Sequence, residues 1–242
     1  MRIRGLSSVS AIIVFVLGFG ACRRGSDAQL FRQVSELAEK GNAQAQYNLG
    51  MMLNNGIGTN KNPALALEWF EKSSQAGDPL AAYKAGCYYG GQFKDVVKVD
   101  LEKSLQYKLT AAEAGYSLAQ HDVANAYSQR NQFPEALKWW EAAAKQGYPM
   151  SLYNLSVTYK NGKVVPKDNI RAYAYFKLAN VLSEGKVSEK AQTSLDELKT
   201  NMTVKELEQA EKLVSDWKVE QLPLTIRAQS GLNEARQLVS SK

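Results

Sequence analysis

Histidine is nearly absent from this chain: among 242 residues there is one, His121. Cysteine is almost as scarce, with Cys22 and Cys87 the only two. A His/Cys zinc site within one chain takes about four such ligands, so that class is excluded and no metal is implied. Two cysteines, one of them closing an apolar N-terminal run, give no internal disulfide framework. No nucleophile-elbow motif is present, and a Ser–His–Asp arrangement needs an orienting acid and an oxyanion hole. Asp122 cannot orient His121 by adjacency, because side chains one residue apart on a helix point to different faces. Gly56 and Gly58 in "NNGIGTNKN" lack the preceding strand and following Lys-Ser/Thr of a phosphate loop. Carboxylates are scattered, and no pair stands out for glycoside hydrolysis. No basic cluster interleaves with aromatics, which argues against nucleic acid as a partner. Catalytic and cofactor-binding residues are therefore assigned to none.

Long apolar runs are also missing beyond the N-terminus. "MRIRGLSSVSAIIVFVLGFGACRRG" opens on Arg2 and Arg4, carries an apolar run from Ala11 to Phe19, and closes on Gly20 and Ala21 before Cys22. The run is shorter than the roughly 20 residues that cross a bilayer, so it reads as an export signal over 1–21. Its end resembles a bacterial lipoprotein lipobox, in which the cysteine becomes the lipidated first residue of the mature chain. Ala21 and Gly20 fit that pattern; Phe19 departs from it, since an aliphatic residue is usual there. Cleavage by ordinary signal peptidase after Gly20 is the rival. The resemblance implies lipidation at Cys22, a short linker over 22–26 and a periplasm-facing place in the bacterial envelope. Arg23 after the cysteine carries no inner-membrane retention signal, which favours the outer membrane. Loss of Arg2 and Arg4 lowers the formal charge from +6 to +4.

What the chain does have is an internal repeat. "WFEKSSQAGDPLAAYKAG" (from Trp69) recurs as "YKLTAAEAGYSLAQHDVA" (from Tyr107) and "WWEAAAKQGYPMSLYNLS" (from Trp139), and "EKGNAQAQYNLG" (from Glu39) is its second half. The landmark glycines Gly41, Gly77, Gly115 and Gly147 are separated by 36, 38 and 32 residues. A period in the thirties marks a helix–turn–helix solenoid unit. The first helix begins just after each landmark. It carries small residues four on (Ala45, Ala81, Ala119, Ser151), then Leu49, Ala85, Val123 and Leu155, then Leu53, Tyr89, Tyr127 and Tyr159. Steps of four place these on one stripe. The second helix is entered at Asn62-Pro63, Asp100, Phe133-Pro134 and Asp168, where Asn and Asp cap free amides and Pro suits the first turn. It carries the aromatics Trp69, Tyr107, Trp139 and Tyr175 and stops at the next landmark glycine, with Ser183 or Gly185 in that place for the fourth unit. Trp139 thus reads as the packing aromatic of its repeat. Trp140, aligned with Phe70, Lys108 and Phe176, is expected to be partly exposed.

This pattern resembles the Sel-one-like repeat (SLR) family, relatives of the tetratricopeptide repeats. The first unit carries Ala45, Leu49-Gly50, Gly56, Gly58, Ala66, Trp69, Lys72 and Gly77 of the family phrase. The fourth keeps Leu155, Tyr159, Gly162, Asp168 and Ala172, while the G-x-G turn is "GGQF" in the second and "SQRNQF" in the third. The resemblance implies an all-α fold: a right-handed α-solenoid of about four helix–turn–helix units with N- and C-terminal capping helices over 27–220. "DAQLFRQVSELAEKG" is expected to cap the first unit. After Ser183, "SEKAQTSLDELKT" and "MTVKELEQAEKLVSDWK" read as two more helices, the second with a Thr203/Glu206 capping box. Residues 221–242 show no convincing period and read as a partly disordered tail.

His121 holds the register of Tyr47, Tyr83 and Tyr153, so it reads as a packing variant, and Cys87 in "AGCYYG" reads as a small buried residue. Function is expected on binding surfaces. Seven residues after the landmarks lie Asn48, Lys84, Asp122 and Asn154, polar in every unit and different in character; this column is the candidate partner-binding face. The resemblance implies a non-enzymatic scaffold or adaptor for a protein or peptide partner in the periplasm, tethered to the membrane through its N-terminal lipid. Two alternatives stand beside it. One is a β-lactam-binding or hydrolysing enzyme, as in cysteine-rich relatives whose paired cysteines this chain lacks. The other is an obligate subunit of an outer-membrane assembly.

Overall fold

The computed structural model describes residues 26–184 and 189–241. Cys22, the signal segment and Gly185 lie outside the described residues. Those described form α-helices and no strand: α1 (26–39), α2 (Ala43–Asn55), α3 (Pro63–Gln75), α4 (Pro79–Cys87), α5 (Leu101–Glu113), α6 (Ser117–Gln129), α7 (Phe133–Lys145), α8 (Pro149–Asn161), α9 (Asn169–Leu182), α10 (Glu189–Asn201), α11 (Val204–Asp216), α12 (Pro223–Gln229) and α13 (Leu232–Ser240). The fold class is an all-α solenoid of helix–turn–helix repeats, α2–α3 through α8–α9, continued by further helices.

The repeat boundaries follow from local chemistry. Asn62, Asp100 and Asp168 each accept a hydrogen bond from the backbone amide three residues on, at 2.9–3.1 Å. Each such cap is worth about 1 kcal/mol. The landmark glycines Gly41, Gly77, Gly115 and Gly147 have φ of +87°, +90°, +93° and +79°, a left-handed stop that residues with a Cβ avoid. At the end of α9, Glu184 takes the left-handed position with φ +54°, one residue after Ser183.

The chain divides into two compact units. The first holds the described residues up to Ala85, together with Phe93–Val97 and the chain from Ser230 on. In it α2 packs on α3 and on α13, around the fully buried Val34, Met52 and Phe70. Burying a ring such as Phe70 contributes about 2 kcal/mol. Gln44 of α2 and Glu234 of α13 are hydrogen-bonded, and Ala235 is fully buried.

The second unit holds Gly86–Gln92 and Lys98–Gln229. Its core joins Trp140, Leu152, Leu155 and Phe176 to Leu195, Leu198 and Ala210 of α10 and α11. The Thr203/Glu206 capping box is formed. Between α11 and α12 the chain is extended. Glu220 N donates to Lys145 O at 3.0 Å and Leu222 N to Gln146 Oε1 at 3.1 Å. A Cβ on Gly115 would come within 2.7 Å of Leu222, so the strap presses against the landmark turn. Thr225 then does for α6 what its own Tyr116 cannot. Its Oγ1 accepts from Ser117 N at 3.0 Å and donates to Gln146 Oε1 at 2.7 Å.

Three expectations are corrected. Residues 221–242 include two helices, because their apolar and hydroxyl side chains find partners distant in sequence rather than a local period. Trp140 is 7 % exposed and Trp139 the more open of the two, since the second position of the pair faces the first helix of its repeat. Cys87 is half-buried rather than buried, at the point where α4 gives way to a π-turn over Tyr88–Gln92.

Candidate functional site

A connected set of polar side chains spans α6, α7 and α8 of the second unit. On α6, His121, Asn125 and Gln129 are spaced by four, so they follow one another along one face. Asn125 is the hub. Its Oδ1 accepts from Trp140 Nε1 at 3.0 Å and from Asn154 Nδ2 at 3.1 Å. An indole N–H can only donate, which fixes the oxygen on that side and turns Nδ2 toward His121 Nε2, 3.0 Å away. Nε2 is then an acceptor, and the imidazole carries its proton on Nδ1, which donates to Ser151 Oγ at 2.9 Å.

That tautomer decides the chemistry. A Ser–His pair at hydrogen-bond distance looks like a nucleophile and its base. Here the histidine donates to the serine and has no free lone pair with which to take its proton. Both side chains are buried, Ser151 completely, and the Tyr148 ring lies tilted against the imidazole, 4.8 Å between ring centres. Burial lowers the His121 pKa below the usual 6.5, and the Asp122 charge opposes it less strongly. His121 is a neutral packing residue whose two nitrogens are both engaged.

Two grooves flank the Asn125–Gln129 ridge. One, of about 450 Å³, runs between α5 and α6 and is lined by Leu101, Leu105, Lys108, Asp122, Ala126 and Gln129 among others. The second, of about 500 Å³, is lined by Ser128, Gln129, Tyr153, Asn154, Val157 and Thr158 beside Asn125 and Trp140. Among the described residues no group of three or more His, Cys, Asp or Glu side chains could hold a metal ion, and no helix is long and apolar enough to cross a membrane.

The candidate column is divided by this geometry. Asn48 and Lys84 belong to the first unit, Asp122 and Asn154 to the second. Asn48 is 3 % exposed and donates to Gln44 O at 2.9 Å. It is therefore a structural side chain and not an open contact residue, because the small residues beside it bring neighbouring helices close. Lys84 is half-buried on α4. Asp122 is held by Lys108 at 2.8 Å. Asn154 lies at the edge of the second groove, bonded to Asn125. Asn125 and Gln129 are absent from the column. The i, i+4 spacing from His121 is the signal that could have found them; Ser151 carried none beyond its small size.

The helix pairs α2–α3, α4–α5, α6–α7 and α8–α9 coincide with four matches to the Sel1 repeat family model, over residues 43–78, 79–116, 117–148 and 149–180. The chain belongs to the Sel1-repeat family. A Sel1-like repeat-containing protein of Acanthamoeba polyphaga mimivirus is 35 % identical over 137 residues, which is 56 % of this chain and 25 % of that protein. Among solved structures, a protective antigen of uropathogenic Escherichia coli displaying an SLR fold has a TM-score of 0.52 at 23 % identity, covering 81 % of this chain and 50 % of the antigen. A Sel1 repeat protein from Oxalobacter formigenes has a TM-score of 0.55 at 20 % identity, covering 81 % and 85 %. The chain thus spans a quarter of the viral relative and half of the antigen. Sel1 repeats generally mediate protein–protein interaction.

Proposed function

We propose that this Sel1-repeat chain is a lipoprotein of the bacterial cell envelope, anchored through Cys22 and facing the periplasm from the outer membrane, where it gathers a protein or peptide partner as a scaffold or adaptor. The observation that carries the interaction reading is the α6–α8 face of the second unit. There His121 and Trp140, both buried, hold the half-buried Asn125 carboxamide in place between two grooves of about 450 and 500 Å³. Side chains fixed from beneath lose little freedom on binding, which is the condition for a selective surface. The envelope reading rests on the N-terminal segment, with its two arginines, apolar run and "GAC" end.

The test is a crosslinking pull-down of the tagged whole chain from envelopes, read by mass spectrometry, beside the variant Cys22→Ser. The proposal expects one partner recovered in register with the outer-membrane fraction, and release of the variant from that fraction. Recovery of the wild-type chain in the soluble fraction would remove the tether. Stable stoichiometric co-purification from detergent would instead favour an obligate subunit of an assembly.

A further inference from the structure

Six and ten residues past the landmark glycine the repeats carry Tyr47 and Met51, Tyr83 and Cys87, and Tyr153 and Val157. The third repeat alone has His121 and Asn125 there. The repeat fold does not need this polar pair, so its consequences belong to the α6–α8 face. Asn125 serves three neighbours in one orientation: its Oδ1 accepts from Trp140 and Asn154, and its Nδ2 donates to His121 Nε2.

That orientation requires a neutral imidazole. Nδ1 already carries a proton and donates it to Ser151 Oγ, so a second proton goes to Nε2. Nε2–H then faces the Asn125 NH2 group, donor against donor at 3.0 Å. Rotating the ring brings no relief, because both nitrogens of an imidazolium donate. Turning the Asn125 carboxamide over does, since its Oδ1 can then accept from His121. Asn154 can follow, because its own carboxamide has an oxygen to offer. Trp140 cannot, because an indole nitrogen only donates. Its buried N–H loses its acceptor and carries the full penalty of an unpaired group.

Few other charges bear on the ring. Asp122 follows it on α6 and favours the proton, but Lys108 of α5 holds that carboxylate at 2.8 Å. Tyr148, ahead of α8, lies against the imidazole, and burial pushes its hydroxyl pKa up. Tyr116, ahead of α6, interacts with Tyr148 and Asp122 and is pushed up to about 12. Both tyrosines therefore stay neutral as pH falls. α7 contributes the Trp140 indole to the network and α8 the Ser151 hydroxyl, neither of which titrates. His121 is the member of this cluster whose ordinary pKa lies nearest neutrality.

We infer that Asn125 is a proton-driven switch of the α6–α8 face, and that a protein partner held there at neutral pH is released when His121 becomes an imidazolium. Asn125, Trp140 and Asn154 all line the groove of about 500 Å³. With Asn154 Nδ2 turned inward to Asn125, its oxygen is left for a donor of the partner, such as a backbone N–H. After the turnover Asn154 offers its NH2 group instead, and the same partner group meets a donor. This inference rests on the scaffold reading and adds its regulation.

The experiment is a pH titration of the whole chain carrying Cys22→Ser, followed by NMR. Beside it, Gln129→p-benzoylphenylalanine is photo-crosslinked in envelopes over the same pH range. In wild type the Trp140 indole N–H should lose protection from exchange at the midpoint of the His121 ring proton, and adduct yield should fall several-fold across it. His121→Gln does not titrate and should hold both constant. Asn125→Asp accepts from all three neighbours in either state of His121, so its indole should stay protected throughout; it decides the matter if His121→Gln does not fold. An indole that keeps its protection through the wild-type midpoint, or loses it equally in Asn125→Asp, would overturn the switch. So would collapse of the whole spectrum at that midpoint, because the fold and not the face would then answer the proton. An indole that responds while adducts persist would overturn the release. No adduct at any pH would remove the scaffold reading instead, with the switch still decided by the indole.

Discussion

Asn125→Leu keeps the size of the side chain and removes every hydrogen bond it makes. Trp140 Nε1–H, Asn154 Nδ2 and His121 Nε2 lose their common partner. Trp140 is 7 % exposed and His121 8 %, so water reaches neither well; Asn154 faces a groove and recovers a water. Leaving a buried polar group unpaired costs about 1–3 kcal/mol, so two such groups give a loss of about 3 kcal/mol. For a chain of this length each kcal/mol moves Tm by about 2–4 °C, which predicts a drop of about 6–12 °C. Asn125→Asp is the sharper variant. Its carboxylate still accepts from Trp140 and Asn154 but cannot donate to His121, which must protonate to restore the third bond. Because the chain has a single histidine, its ring-proton resonance needs no assignment. In wild type it should titrate below 6.5; in Asn125→Asp it should titrate above 6.5. A Tm loss under about 3 °C in Asn125→Leu, or the same histidine midpoint in both chains, would refute the network and the tautomer with it.

Stability should also depend on pH through His121. Its folded pKa lies below 6.5, so the unfolded chain binds the proton first. The contribution is complete above pH 6.5 and is lost as pH falls from 6.5 toward the folded value; urea midpoints that stay flat over that range in wild type, or fall equally in His121→Phe, would contradict this. Thr225→Val strips the long-range cap from α6 and leaves Ser117 N without its 3.0 Å partner. It should cost about 1–2 kcal/mol and speed hydrogen exchange at the Ser117 amide, while unchanged exchange would mean the strap does not hold α6. A fluorescent penicillin should not label the chain, because the Ser151–His121 pair is wired with the proton on the wrong nitrogen. A saturable label abolished by Ser151→Ala would overturn that reading.

The repeat was legible because its signals are local. Gly77 and Gly115 stop helices, Asn62, Asp100 and Asp168 start them, and small residues at steps of four mark the packed stripe, each within a few residues of what it controls. The tail was not legible for the opposite reason. Thr225 answers Gly115 and Ser117, about 110 residues away in the chain, and no window of sequence contains both. Trp140 was misplaced because one lysine in its column suggested exposure. The structure instead gives Lys108 its own solution, a stem over Gly86 and an ion pair with Asp122. The candidate column was read by polarity alone, and polarity does not separate Asn48, buried and bonded to its own helix, from Asn154, which faces a groove. Asn125 went unread because its importance lies in three partners on three helices.

The α6–α8 face is proposed to meet a protein partner. A photo-crosslinker placed as Gln129→p-benzoylphenylalanine in the whole chain, irradiated in intact envelopes, tests it most directly against the exposed α11 control Glu208→p-benzoylphenylalanine. A discrete protein adduct is expected from position 129 and none from position 208. No adduct from 129, or the same adducts from both, would contradict it.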